Sequence, residues 1–384
     1  MKRLPSLLLA ALALLVVEFA VAAGAATDPA PARNGAPPSW NPRAAAAYLD
    51  GRLAWWSHWP DAARDHATAC VSCHTAVPYA LARPALRTLL GEKDLAAPER
   101  AVLDGVVKRV RIWRDVEPFY PDQTVGLPKS SESRGTEAVL NALILAVRDA
   151  RVGTLADDTR QAFGNLWPLQ FQTGELAGAW AWLNFHLEPW EATDSPYYGA
   201  TLAAIAVGSA PGGYASSPEI LEPLNRLRGY LRRGAERESL FNRVMLLWAS
   251  AKLPGLLEPA QRQAIVDAAA SKQQEDGGWT TASLGSWKRA DGTAMEGASD
   301  GLATGLISLA LQQIGTPATD ARVRRGLAWL ARHQDAASGM WWTPSVNAQR
   351  DPAANTGKFM TDAATAYAVL ALAQEAAVRG NGER

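Results

Sequence analysis

The sequence predicts an all-α fold of about six helical hairpins. Two observations carry this. Apolar, alanine-rich segments recur at intervals of about 50 to 60 residues, and between them lie amphipathic segments whose charged residues suit a solvent-facing face. With 384 residues, 48% hydrophobic and 20% charged, the chain has the balance of a soluble globular protein with a sizeable core.

The first residues set an address. Lys2 and Arg3 precede an apolar run from Leu7 to Val17, and small residues with A-x-A-like sites follow around Ala20 to Ala25. This reads as a signal peptide over 1–25 and predicts a periplasmic or secreted protein. The run is shorter than a bilayer span, so no stable membrane span is expected after cleavage, although Glu18 is unusual there. Residues 26–41, rich in Pro and Ala, read as a flexible lead-in. Residues 42–384 then form the helical domain. Lys plus Arg equals Asp plus Glu at 38 each, so no global field recruits nucleic acid.

In chain order, the inner, apolar helices open at His74, Glu137 (EAVLNALILAV), Asp194 (before YYGATLAAIAV), Asn242 (NRVMLLWAS), Asp300 (DGLATGLISLAL) and Asp362 (DAATAYAVLAL). The first runs through Thr75 to Leu90, with Pro78 in its opening turns. Outer partners are expected at about 42–59, 98–115, 158–172, 218–233, 258–274 and 321–334. If the inner helices run parallel, their N-termini share one rim.

Both cysteines fall in Cys70-Val71-Ser72-Cys73-His74, the C-x-x-C-H arrangement of c-type haem attachment. Two thiols three residues apart reach the two vinyl groups of one porphyrin, and the adjacent imidazole falls beneath the iron. One covalent haem c is therefore the expected cofactor, with His74 as proximal ligand, inside the first hairpin (42–90) rather than in a separate cytochrome domain. Two other readings stay open: a redox-active or structural disulfide, and a zinc site completed by His58 or His66. Donors for a sixth iron position are Met360 and Met295, just before inner-helix starts, and His186 in its loop. His58 and His333 sit at outer-helix ends, and Met245 reads as core.

Glu137, Asp194, Asp300 and Asp362 gather at the same rim, where they could bind a polar group, relay protons or tune a haem. Helix capping explains acidic residues there equally well, as Ser299-Asp300 and Thr361-Asp362 suggest.

Short repeats accompany the helices. Gln273 to Trp279 reads Q-x-x-x-G-x-W; Arg325-Gly326-Leu327-Ala328-Trp329-Leu330 leads to Gln334, Gly339 and Trp341; a looser copy runs from Gln172 to Gly178 and Trp180. These segments resemble the glutamine-tryptophan repeats of the squalene-hopene cyclase and prenyltransferase superfamily, from about Trp55 onward. The resemblance implies an α/α toroid, with outer helices alternating with inner helices around a central cavity.

It also implies chemistry that this sequence lacks. Cyclisation calls for Asp-x-Asp-Asp, and the nearest match, Asp157-Asp158-Thr159, has Leu155 in the first place and precedes an outer helix, where it reads as a cap. The prenyltransferase zinc needs a cysteine, and both are committed. Clustered tryptophans such as Trp55-Trp56, Trp180 with Trp182, and Trp341-Trp342 would stabilise carbocations in a cyclase but more often lock repeats by burial. No P-loop, G-x-S-x-G or H-E-x-x-H is present. The expected function is an exported c-type haem protein with a redox or electron-transfer role, acting with an unknown redox partner or on an apolar, isoprenoid-like ligand. The alternatives are a terpenoid cyclase or lyase with a structural C-x-x-C-H, and a non-catalytic binding or sensing module.

Overall fold

A computed structural model describes residues 40–382. The signal-peptide expectation, and the lead-in up to residue 39, lie outside the described residues. Pro38–Arg384 form one compact unit. No helix among the described residues is long and apolar enough to cross a membrane.

The fold is all-α, as expected. Six apolar helices form a closed ring: α2 (Ala76–Leu90), α5 (Lys129–Val152), α7 (Ser195–Ser209), α9 (Leu240–Lys252), α11 (Gly301–Gln313) and α13 (Phe359–Gly382). Each packs on the next, and α13 packs back on α2. Outside them lie α1 (Pro42–His58), α3 (Ala97–Arg111), α6 (Asp157–Leu166), α8 (Leu221–Gly234), α10 (Pro259–Ala270) and α12 (Ala321–Arg332). A helix buried on every side must be apolar all round, and α7 is buried from Tyr197 to Val207. By contrast α8 and α12 bury one leucine-rich stripe and expose arginines.

Two differences from expectation concern helix starts. The helix containing Glu137 begins at Lys129, eight residues early, because the polar stretch KSSESRG continues helical and Gly135 packs on the Ala181 backbone, where a Cβ would come 2.1 Å from its carbonyl oxygen. A short α4 (Asp122–Val125), not expected, is tied to the start of α5 by reciprocal Asp122–Ser130 hydrogen bonds.

The repeats have a mechanical role. Trp180, Trp279 and Trp341 are essentially fully buried, and each Nε1 donates to the carbonyl at the end of its own outer helix: Leu166, Ala269 and Leu330, at 2.9, 2.7 and 2.7 Å. Gln273 Nε2 donates to Gly277 O and to Arg322 O at the start of the next outer helix, both at 2.9 Å. Gln334 does the same with Gly339 O and Asn41 O. In the loosest copy the working glutamine is Gln170, not Gln172, bonded to Gly178 O and Pro223 O. The glycines sit at φ +104° (Gly178), +95° (Gly277) and +81° (Gly339), and a Cβ there would strike the next outer helix. Asn41 N in turn donates to Gln334 Oε1 at 2.6 Å, so the last repeat closes on the first.

The ring has a filled centre. Trp248 of α9 stands edge-on to Tyr367 of α13, with centroids 6.2 Å apart, although α11 separates those helices in the ring. Tyr198 of α7 adjoins the same tyrosine. All three are at most 5% exposed.

Candidate functional site at the rim

The segment from Trp59 to Thr75 is held by its neighbours before it reaches the motif. A hairpin pairs β1 (Ala63–Arg64) with β2 (Thr68–Ala69). Its three-residue connection, 65–67, uses His66 and Ala67 at φ +54° and +52°, with Thr68 N donating to Asp65 O at 3.2 Å. Cys70 N donates to Ala62 O, and Trp56 Nε1 donates to Cys70 O at 2.7 Å. Within the motif, Ser72 Oγ accepts the backbone N–H groups of Thr75 (3.2 Å) and Ala76 (3.0 Å), so the motif itself caps α2.

Cys70 and Cys73 are free and buried. Burial pushes the Cys70 thiol up to about 12 and the Cys73 thiol well above its ordinary value. Both are thus poor thiolates, which counts against a redox-active dithiol. Among the described residues no group of three or more His, Cys, Asp or Glu side chains is arranged to hold a metal ion. The two thiols and the imidazole therefore do not form a zinc pocket with His58 or His66.

His74 is oriented by a relay. Its Nδ1 lies 2.8 Å from Thr75 Oγ1, and Thr75 Oγ1 donates to Asp362 Oδ2 at 2.7 Å. The threonine has one proton and gives it to the carboxylate, so it accepts from His74 Nδ1–H. The lone pair is then on Nε2. Burial, assisted by Arg52, lowers the imidazole to about 3 and keeps it neutral. Asp362 is anchored by Arg52 Nε (2.7 Å) and Nη2 (3.0 Å) and by Tyr48 OH (2.8 Å). Thr75→Val keeps the shape but takes the acceptor from His74 Nδ1 and one of two donors from Asp362 Oδ2, which keeps Arg52. The expected cost is about 1–3 kcal/mol in denaturant unfolding, with a mixed-tautomer His74 ring in its imidazole ¹⁵N shifts.

Beside His74 is a small cavity of about 110 Å³, lined among others by Trp190, Glu191, Arg350, Phe359 and Met360. Phe359 stacks on the imidazole at 3.9 Å and Trp56 meets it edge-on at 5.0 Å. Glu188 and Asn347, from two loops, join across it: Glu188 N donates to Asn347 Oδ1 and Asn347 Nδ2 to Glu188 O, both at 2.7 Å. Trp190 Nε1 is buried without a partner. Glu188 also lines a second, open polar cavity of about 670 Å³ with Asp194 and Glu238, where Asn242 Nδ2 donates to Asp194 (3.3 Å) and Glu238 (2.8 Å).

Burial raises Glu188, Glu191 and Glu238 from the ordinary 4.5 to about 7, with Asp194 adding repulsion at the first and last. Such groups hold protons in the folded state that the unfolded chain has released. The stability they contribute is full below about pH 4.5 and is lost as pH rises through 7. The melting temperature is expected to fall between pH 5 and pH 8, and Glu191→Gln should flatten that slope.

The four acidic residues expected at one rim have different settings. Asp362 bonds the His74 relay. Asp300 caps α11, accepting from Leu302 N and Ala303 N, and also from Thr281. Asp194 precedes α7 without capping it by its side chain and faces the polar cavity. Glu137 does not open its helix; it lies two turns inside α5, fully buried, against Arg109. Of the iron-ligand candidates, Met360 lines the His74 cavity. Met295 packs on the core elsewhere, and His186 is exposed in its loop at φ +56°. Asp157 and Asp158 lie in the first turn of α6, with Asp158 paired to Arg111. Arg52, Thr75, Glu188, Trp190, Glu191, Asn347 and Phe359 carry no local motif that marks them in the sequence.

No family model matches the chain, and no curated protein matches it. Among solved structures, it is similar to a possible member of the GH105 family from Klebsiella pneumoniae subsp. pneumoniae, with 10% identity and a TM-score of 0.48 over 88% of this chain and 93% of that one. The expected redox or electron-transfer role on a cyclase-like scaffold is corrected: the likeness found is to a possible GH105 member. The sensing alternative gains no support either.

Proposed function

We propose that the rim is a covalent haem attachment site, with Cys70 and Cys73 forming the thioethers and His74 supplying the axial nitrogen through Nε2. The observation that carries this is the His74–Thr75–Asp362 relay. Histidines that ligate metals characteristically give their second N–H to a carboxylate or another acceptor, which fixes the tautomer and raises ligand basicity. Here that partner is in place and Nε2 is left free.

The donor set fits the group in two further ways. The thiols are unbonded to each other, so both would be free to form thioethers. The partnerless Trp190 Nε1, with Arg350 on the same cavity, suits a carboxylate such as a propionate. A porphyrin exceeds the cavity beside His74, so attachment requires the Glu188 and Asn347 loops to part. When bound, the group would supply an iron held by His74. Phe359 and Trp56 hold the imidazole plane, burial raises Glu191 to about 7, and Met360 lines the same cavity. Export by the segment at 1–25 belongs to the same proposal, because this attachment is made outside the cytoplasm. The three Gln–Gly–Trp units support kinship in scaffold with the glutamine-tryptophan repeat proteins.

The test is expression of the full chain with c-type maturation machinery, followed by haem staining after denaturing electrophoresis. The wild type should keep its haem, and Cys70→Ser/Cys73→Ser should show none while folding to the same helical content. A wild type without covalent haem overturns the proposal. His74→Ala should retain stain but lose the low-spin absorption of the native protein.

A further inference from the structure

About 20 Å along α2 from His74, at the opposite rim, α2, α3 and α5 enclose a cavity of about 400 Å³. Its walls are apolar: Pro84, Leu95, Val102, Leu103 and Ile144. Its polar lining is unbalanced, with Arg87, Arg148 and Arg151 against the single carboxylate of Glu99. Glu99 is 2% exposed and accepts one bond from Arg87 Nη2 at 3.2 Å, while Arg87 Nε and Glu99 Oε2 are buried without partners. Arg148 is paired with Asp149 at 2.8 Å. Arg151, an exposed residue, donates to Thr88 Oγ1 at 3.4 Å; partial burial of its guanidinium and the charge of Arg87 push it down, and Glu99 pushes it up.

Basic side chains in the last turns of α2 and α5 complement the helix dipoles. The dipole does not, however, call for an apolar void between those helices or for a buried guanidinium nitrogen, Arg87 Nε, without a partner. A bound anion accounts for both. Guanidinium forks match a planar carboxylate in two parallel bonds, and the volume lies in the range of small-molecule sites, roughly 300–1,000 Å³.

We propose that this cavity binds a small amphiphilic carboxylate, its head between Arg87 and Arg151 and its aliphatic body against Val102, Leu103 and Ile144. The site is independent of the haem proposal. It is tested by calorimetric titration of the full-length protein with decanoate and with decanol, which share an aliphatic chain and differ in charge. Decanoate should bind one per chain and at least tenfold more tightly than decanol. Arg151→Gln should weaken decanoate at least tenfold and leave decanol unchanged, and Val102→Trp, which fills the cavity, should abolish both. Equal binding of acid and alcohol, no binding of either, or decanoate binding untouched by Arg151→Gln and Val102→Trp overturns the assignment. Covalent haem staining of the same variants should match the wild type, which separates failure here from failure at the other rim.

Discussion

Replacing Asp362 with alanine is expected to cost about 3–5 kcal/mol in urea unfolding and to release His74 from its fixed tautomer. The magnitude follows from what is stranded. Arg52 is buried, and its Nε and Nη2 both lose the carboxylate that now holds them at 2.7 and 3.0 Å. Asn355 keeps Nη1 and part of Nη2 paired, which places the effect in this range rather than above it. Tyr48 and Thr75 lose their acceptor as well. The contacts join α1 to α13 across the closing seam, so the loss should appear as opening of that seam. Hydrogen exchange should accelerate first in α1 and in the first turns of α13. Asp362→Asn keeps an acceptor but loses the charge: a cost close to that of Asp362→Ala assigns the loss to the ion pair, and a negligible cost would refute the ion pair as the source.

Glu137→Ala should be comparably damaging at a place unrelated to any ligand. Glu137 and Arg109 are completely buried and meet in two bonds, at 2.6 and 3.0 Å. Arg109 also bonds Asp65, Thr68 and Glu117 O, which anchors the hairpin ahead of Cys70. Removing the carboxylate strands a buried guanidinium, at about 3–5 kcal/mol. Replacing the pair together, as Arg109→Met with Glu137→Leu, should recover much of that energy, because the desolvation of both charges disappears with their attraction. The double variant should nonetheless loosen the hairpin, whose Asp65 and Thr68 lose a donor, and limited proteolysis near His66 reports it. A double variant as unstable as Glu137→Ala would show that packing, not charge, dominates.

The helices were legible because their signals are local. Apolar runs opened by Asp, Asn or Glu identified five of the inner helices, and the outer ones began within about three residues of expectation. Glu137 misled because an acidic residue at the head of an apolar run looks like a cap, whereas here it faces Arg109 from the adjoining outer helix. That pairing spans elements and leaves no local trace. The same holds at the rim. Cys70, Cys73 and His74 announce themselves by spacing, but Thr75 and Asp362 are 287 positions apart, and only the closed ring brings them together. Glu188 and Asn347, joined across 159 positions, are two unremarkable loop residues in the sequence. The glutamine in the loosest repeat was misplaced by two because two glutamines flank one phenylalanine, and only the bond to Pro223 distinguishes Gln170 from Gln172.

Closure through Asn41 and Gln334 also imposes an order of events. The segment bearing Cys70 and Cys73 emerges early in synthesis or export, yet Phe359 and Asp362, which cover and orient it, come near the end of the chain. Until those last residues arrive, the two thiols have no lid, and the high thiol values that burial imposes on the finished ring do not yet apply. Under the attachment proposed above, an enzyme acting on them would work on an unclosed arc of hairpins, and seam formation would end its access. Weakening the seam at Asn41 would lengthen that interval without touching either cysteine.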